Sequence, residues 1–233
     1  MENSLIEKTV GYVQQEMSGN DSSHDWNHID RVRKLAKFLA IREGFNESEQ
    51  LEVDLSSLLH DIKDWKYSNS STETEDAVRS FLKEQQVDQQ IIDKVCYVVA
   101  NIGFSKQLES GINPLKPHDY MKILAVVQDA DRLDAMGAMG VARCLTYGGA
   151  KNRILYDPSI PPRNHLNEKE YKYGLSTTMN HFYEKLFKLK DMMKTTSGRQ
   201  IAEHRQKFME NFVKQFELEW NSGDLEMALD TFI

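Results

Sequence analysis

The sequence predicts an all-α fold, a single-domain helical bundle, and three observations carry that expectation. Apolar residues recur every three or four positions through nearly the whole chain, the period of an amphipathic helix, whereas strand alternation is weak. The chain has 233 residues, 40% of them hydrophobic, enough for one continuous core and too few for two full domains. The stretches that break the period, 103–119 and 148–167, are the ones that gather glycine and proline.

The period places helices near 2–17, 28–43, 49–60, 72–84, 88–101, 118–130, 135–147, 168–193 (with room for a break) and 198–220, and a short last turn at Leu225 to Leu229. The first segment, MENSLIEKTVGYV, mixes charged and apolar residues at helical spacing and lacks the basic start and unbroken apolar run of a signal peptide. Asp25 can cap the second helix, and Gly44 can end it. Asn46 or Ser48 can cap the third, from which Leu51, Val53, Leu55, Leu58 and Leu59 continue inward. Ser68 to Thr74 reads as a turn followed by a cap. The segment from Gly103 to Asp119 holds Gly103, Gly111, Pro114 and Pro117 and cannot be one regular helix; His118 reads as a helix-start residue. The stretch from Gly148 through Pro158, Pro161 and Pro162 to Asn167 is long for a loop, and such loops serve as lids, binding loops or subunit contacts. A homodimer is one assembly this leaves open. The expected domain spans 1–233, with a metal-site core at about 24–135 and a C-terminal helical completion at about 168–220.

Lys and Arg number 29 against 36 Asp and Glu, and the net charge of -7 argues against a stable nucleic-acid partner or an anionic membrane while allowing a local basic pocket. No apolar run reaches the roughly 18–20 residues needed to cross a bilayer. The two cysteines, Cys96 and Cys144, sit in apolar runs far apart and read as buried free thiols. Together these features point to the cytoplasm.

The candidate site is a set of separated metal-ligand residues: His28, the adjacent pair His60 and Asp61, and Asp131. Two imidazoles and two carboxylates mix nitrogen with hard oxygen donors, which suits a divalent ion. His28 falls in the first turn of a helix that Asp25 can cap. His60 and Asp61 end an apolar helix, and neighbouring helical residues point about 100° apart, so both can hold one ion only over the groove between them. Asp131 belongs to a cluster with Asp129, Arg132 and Asp134 directly after an apolar run, where an unpaired buried carboxylate is costly. A cap on the following helix accounts for one of these, most naturally Asp134. Taken alone, His28 also reads as a surface or partly buried histidine, and the His60–Asp61 segment as a solvated helix end with a local ion pair.

The wording around these residues, HDWNHIDRV, LLHDIKDWK and DADRLDAMGAMGVAR, resembles the HD-domain metal-dependent phosphohydrolases, whose pattern is a histidine, a His-Asp pair and a distant aspartate. It is similar in particular to a bacterial branch of nucleotide pyrophosphohydrolases, and the likeness continues through Tyr147-Gly148-Gly149 and STTMNHFYEKL. The resemblance implies an all-helical HD-type bundle holding one divalent ion on His28, His60, Asp61 and Asp131. The expected ion is Mn²⁺ foremost, with Mg²⁺, Co²⁺, Fe²⁺, Ni²⁺ or Zn²⁺ as alternatives. It also implies hydrolysis of a phosphate ester or anhydride. Branches with a second metal carry further histidines between the pair and the last aspartate; only His118 lies there in this chain.

Such an ion can bind water and a phosphoryl oxygen together, with Lys63 stabilising the phosphate and Asp64 orienting water or accepting its proton. A polyphosphate also requires protein cations. Arg31, Arg33, Arg132 and Arg143 are candidates, Arg143 above all because a guanidinium in an apolar helix needs an anionic partner. His181 and Lys185 share a helical face, and Lys188, Lys190 and Lys194 extend it; a solvated basic face is the other reading. Trp26, Trp65, Tyr147 and Tyr183 can stack on a base or simply pack. The expected partner is a nucleotide or another small phosphate compound. The expected reaction converts a nucleoside triphosphate, ribo or deoxy, to the monophosphate and pyrophosphate. A phosphomonoesterase or phosphodiesterase, or a regulatory protein that binds metal without turnover, are the rivals.

Overall fold

A computed structural model describes residues 2–18, 25–62, 71–103, 117–163, 174 and 176–225. Among these residues the regular secondary structure is all helical: α1 (Glu2–Glu16), α2 (Trp26–Arg42), α3 (Glu47–Leu59), α4 (Ser71–Glu84), α5 (Gln89–Asn101), α6 (His118–Asp134), α7 (Gly137–Ala150), α8 (Asn180–Glu184) and α9 (Thr196–Trp220), with 3-10 turns at Leu186–Lys188 and Lys190–Met192 between the last two. The expected all-α class holds.

Local chemistry sets the helix ends. Asp25 caps α2 by accepting from the His28 backbone N–H. Gly44, at φ +76°, turns the chain after α2, a conformation that costs glycine little. Asn46, rather than Ser48, caps α3 in a reciprocal box: its side chain accepts from Glu49 N at 3.0 Å, and the Glu49 carboxylate accepts from Asn46 N at 2.8 Å.

Helix α2 packs on α3 and α6, α5 bridges α3 and α6, α4 lies on α5, and α9 covers α6 and α7. Two apolar clusters result. Val32, Ala36 and Leu39 of α2 meet Leu124, Val127 and Leu133 of α6 and Ala202 and Met209 of α9. Val13, Leu55, Leu58, Val78, Leu82 and Val95 form the other, with Ile29. Truncating a fully buried leucine such as Leu58 to alanine would cost about 2–5 kcal/mol. Ile29 and Val32 belong to different clusters, so the first turn of α2, which carries His28, lies at their junction.

Three boundaries depart from expectation. Helix α6 runs on past 130 to Asp134 because the charges at its end have partners elsewhere in the fold. Helix α7 continues through Gly148 and Gly149 to Ala150; a Cβ at Gly148 would lie 2.3 Å from Thr178 Oγ1, so glycine there serves a close approach and not a helix stop. Of the long helix expected at 168–193, the helical part among the described residues is α8 and the 3-10 turns, and Lys185, at φ -136° and ψ -57°, marks the break.

Residues 151–163 are irregular yet tied down. Ile154 and Leu155 carbonyls accept from Thr178 and Met179 N–H at 2.9 and 3.0 Å, and Arg163 pairs with Glu184 at 2.6 Å. Among the described residues no helix is long and apolar enough to cross a membrane. Cys96 is buried, Cys144 is half-buried, and both are free. Burial pushes their thiols up to about 11 and about 12, which disfavours thiolate chemistry. The expected turn at 68–70, the connection at 104–116, the segment 164–173 and the last turn beyond Leu225 lie outside the described residues.

Candidate metal centre

His28, in the first turn of α2, is 1% exposed. Its Nδ1 lies 2.8 Å from Asp134 Oδ2 at the end of α6. A carboxylate can only accept, so Nδ1 donates and the lone pair resides on Nε2. His60 follows α3 directly, and its Nδ1 lies 2.8 Å from the Ser57 carbonyl. The same reasoning leaves its lone pair on Nε2, an atom that is buried and has no hydrogen-bond partner among the described residues. Asp131 Oδ1 stands 3.6 Å from His28 Nε2 and 3.9 Å from His60 Nε2. Ligand atoms of His28, His60 and Asp131 all lie within 4.8 Å of one another. Asp61 lies beside this cluster, with Oδ2 4.0 Å from His28 Nε2.

These residues fit a divalent ion. Donor atoms about 2.1 Å from a shared ion sit no more than about 4.2 Å apart, a span that includes the three separations given above for Asp131 and Asp61. The buried His60 Nε2, which would be costly to leave unsatisfied, has no hydrogen-bond partner among the described residues and an ion would satisfy it. The imidazole side chains are 2% and 3% exposed and the carboxylates of Asp61 and Asp131 16% and 34%, so the histidines form the floor and the aspartates the mouth.

The electrostatics are those a ligand set needs. Burial pulls His28 down to about 4 and so keeps the ring neutral, against the opposing effect of its hydrogen bond to Asp134. Burial alone would raise the Asp131 carboxyl, but the fields of His60, His28, Arg143 and Lys185 hold it below the ordinary carboxylate range. For Asp134, too, burial is outweighed: hydrogen bonds from His28 and Arg31 keep it well below that range.

Helix α6 sorts its charges by direction. Asp131 and Asp134, three residues apart, share a face. Asp129 points elsewhere and accepts from Lys194 N, Thr195 N at 2.7 Å and Thr195 Oγ1 at 2.8 Å, which fastens the start of α9. Arg132 donates to the Met192 carbonyl at 2.8 Å. The expectation that Asp134 caps the next helix is corrected: Met136 occupies that position with no side-chain cap, and Asp134 accepts from His28 Nδ1 instead. Its i, i+3 spacing from Asp131 was the available signal.

Of the residues expected to bind phosphate, Arg31 and Arg143 act on Asp134 and Lys185 acts on Asp131. Arg31 holds Asp134 with both nitrogens of its fork, Nε to Oδ1 at 2.7 Å and Nη2 to Oδ2 at 3.1 Å. Arg143 Nη1 lies 3.1 Å from the same Oδ2. Lys185, half-buried, contributes to the positive field at Asp131. His181 is half-buried one turn earlier, and its carbonyl accepts from Lys185 N at 3.0 Å. Tyr147, one turn after Arg143, has Lys151 Nζ 5.6 Å and Arg153 Cζ 5.2 Å from its ring centre. Arg33 instead pairs with the buried Asp54. Trp26 packs against the core, and Tyr183 donates to Glu217 at 2.6 Å. Lys63, Asp64 and Trp65 lie outside the described residues.

A helical bundle that gathers two imidazoles and a carboxylate from three separate segments, with a second carboxylate beside them, is the frame of a metal-dependent hydrolase. No family model matches the chain, but individual proteins do. An HD-superfamily hydrolase from Bacillus thuringiensis is 38% identical, with a TM-score of 0.69 over 95% of this chain and 99% of that one. A Lactobacillus plantarum protein of known structure is 34% identical, with a TM-score of 0.80 over 94% and 98%. YpgQ of Bacillus subtilis is 32% identical over 217 residues, 93% of this chain and 94% of that protein. Its crystal structure in complex with ADP superimposes with a TM-score of 0.68 over 92% of this chain and 97% of that one. The chain belongs to the HD superfamily of metal-dependent hydrolases.

Proposed function

We propose that this chain is a Mn²⁺-dependent nucleotide phosphohydrolase of the cytoplasm that converts a nucleoside triphosphate, ribo or deoxy, to the monophosphate and pyrophosphate. The observation that carries the reading is the cluster of His28, His60 and Asp131, with the orphaned lone pair on His60 Nε2. The ADP complex of YpgQ supports a nucleotide as the ligand class.

His28, His60, Asp61 and Asp131 would hold the ion. A divalent cation there supplies Lewis acidity toward a phosphoryl oxygen and toward water. The chain's own cations add charge neutralisation: Lys185, whose field already reaches Asp131, and Arg143 and Arg31 on Asp134. His181 and Tyr147 complete the proposed binding face, Tyr147 as a surface for the base. We assign Lys63 to the phosphate and Asp64 to orienting water and taking its proton.

The test is an assay of purified, Mn²⁺-loaded protein against a panel of nucleoside tri-, di- and monophosphates with the products identified. Pyrophosphate from triphosphates is the expected outcome. Orthophosphate alone would make the protein a phosphomonoesterase with the same centre, and no turnover of any compound would favour a regulatory metal protein.

A further inference from the structure

Asp134 is 1% exposed and lies at the hub of three cationic or donor groups. Its Oδ2 accepts from His28 Nδ1 at 2.8 Å and from Arg31 Nη2 at 3.1 Å, and stands 3.1 Å from Arg143 Nη1, while Oδ1 accepts from Arg31 Nε at 2.7 Å. A buried carboxylate held at both oxygens by a planar guanidinium fork has no freedom to turn. The imidazole bonded to it is therefore fixed in ring angle and in tautomer. His60 has a different arrangement: its Nδ1 partner is the Ser57 carbonyl three residues before it, a local contact that needs no tertiary support.

We infer that Asp134 is the positioning residue of the metal centre, locking His28 with its proton on Nδ1 and its Nε2 lone pair turned to the ion, and that Arg31 buttresses Asp134 in that task. The inference rests on the metal reading of the His28, His60 and Asp131 cluster and adds to it a residue that does not touch the ion. It gives the longest-range contact in the site a job: Asp134 brings α2 and α6 into register, so the histidine is aimed only when the two helices are docked. Carboxylates that orient a ligating histidine commonly support metal affinity by about 10–100-fold.

The experiment has two readouts. Ring-selective ¹⁵N NMR of the metal-free protein reads the tautomer directly, and His28 is expected with the proton on Nδ1; a proton on Nε2 would overturn the inference without any substitution being made. Calorimetric Mn²⁺ titration then compares the parental chain, Asp134→Asn and Asp54→Asn. Asp54 is a buried carboxylate that also pairs with an arginine of α2, Arg33 Nη2 at 2.9 Å, but away from the centre. Asp134→Asn should weaken Mn²⁺ binding about 10–100-fold, while Asp54→Asn lowers stability and leaves Mn²⁺ affinity unchanged. Equal weakening in both would reduce Asp134 to general support of the fold and overturn the inference, as would parental affinity in a folded Asp134→Asn. Absence of Mn²⁺ binding by the parental chain would instead strike the metal reading itself, and this inference with it.

Discussion

Adding Mn²⁺ to metal-free protein should raise its melting temperature, and the structure sets the size of the effect. The ligands come from the start of α2, the end of α3 and the end of α6, so the site exists only in the folded chain and ion binding adds to folding stability. At a free ion concentration a hundred times the dissociation constant, the gain is about 2.7 kcal/mol. For a domain of this size each kcal/mol moves the midpoint by about 2–4 °C, giving a rise of about 5–11 °C. His60→Ala combined with Asp61→Ala removes two of the four groups. In the metal-free state the His60 change should cost about 1 kcal/mol for the lost bond to the Ser57 carbonyl, plus a packing term for the vacated ring. Its midpoint would start lower and then hardly move as Mn²⁺ is added. Melts across an ion titration, with metal analysis of the dialysed proteins, read both effects. An equal rise in parent and variant, or equal retained metal, would place the ion elsewhere and refute the assignment.

Asp64→Asn should lower turnover by about 10²–10⁴-fold with Mn²⁺ content unchanged; parental kinetics would exclude Asp64 as the required base. Lys185→Ala should reduce kcat/KM on nucleoside triphosphates by about 10–100-fold, the worth of one charge-assisted contact, and Arg143→Ala should act in the same direction. Because Arg143 also stands beside Asp134, its variant needs a circular-dichroism melt alongside the kinetics, and parental rates in both folded variants would refute the polyphosphate path. Lys194 concerns stability: burial pulls its ammonium down to about 8. Between about pH 8 and the ordinary lysine value near 10.4 the unfolded chain binds the extra proton, so this group's contribution makes stability rise with pH through that window. Denaturant melts at pH 8 and 10 should show a smaller rise in Lys194→Met than in the parent; an identical rise would disprove it.

What could be read from the chain alone follows from how local each constraint is. Helices announce themselves through period, and caps such as Asp25 and Asn46 through residue type, because both act within a few positions. The clustering of His28, His60 and Asp131 was legible for a related reason: each ends or begins an apolar run where a bare imidazole or carboxylate would be costly without a partner. The arginines were harder. A guanidinium on a long stem can turn to a phosphate or to a carboxylate, and the decision for Arg31 and Arg143 is made by Asp134, more than a hundred residues from Arg31. The end of α6 is placed too early, near residue 130, for the same cause. Asp129, Arg132 and Asp134 are each satisfied by groups far along the chain or far before it, so the helix continues where its local composition suggests a stop. Asp134 is the sharpest case, since a capping aspartate and one that orients a buried histidine leave the same local signature. Only the identity of the donor, a backbone N–H in one and His28 Nδ1 in the other, separates them, and that donor is supplied by the docking of α2 against α6.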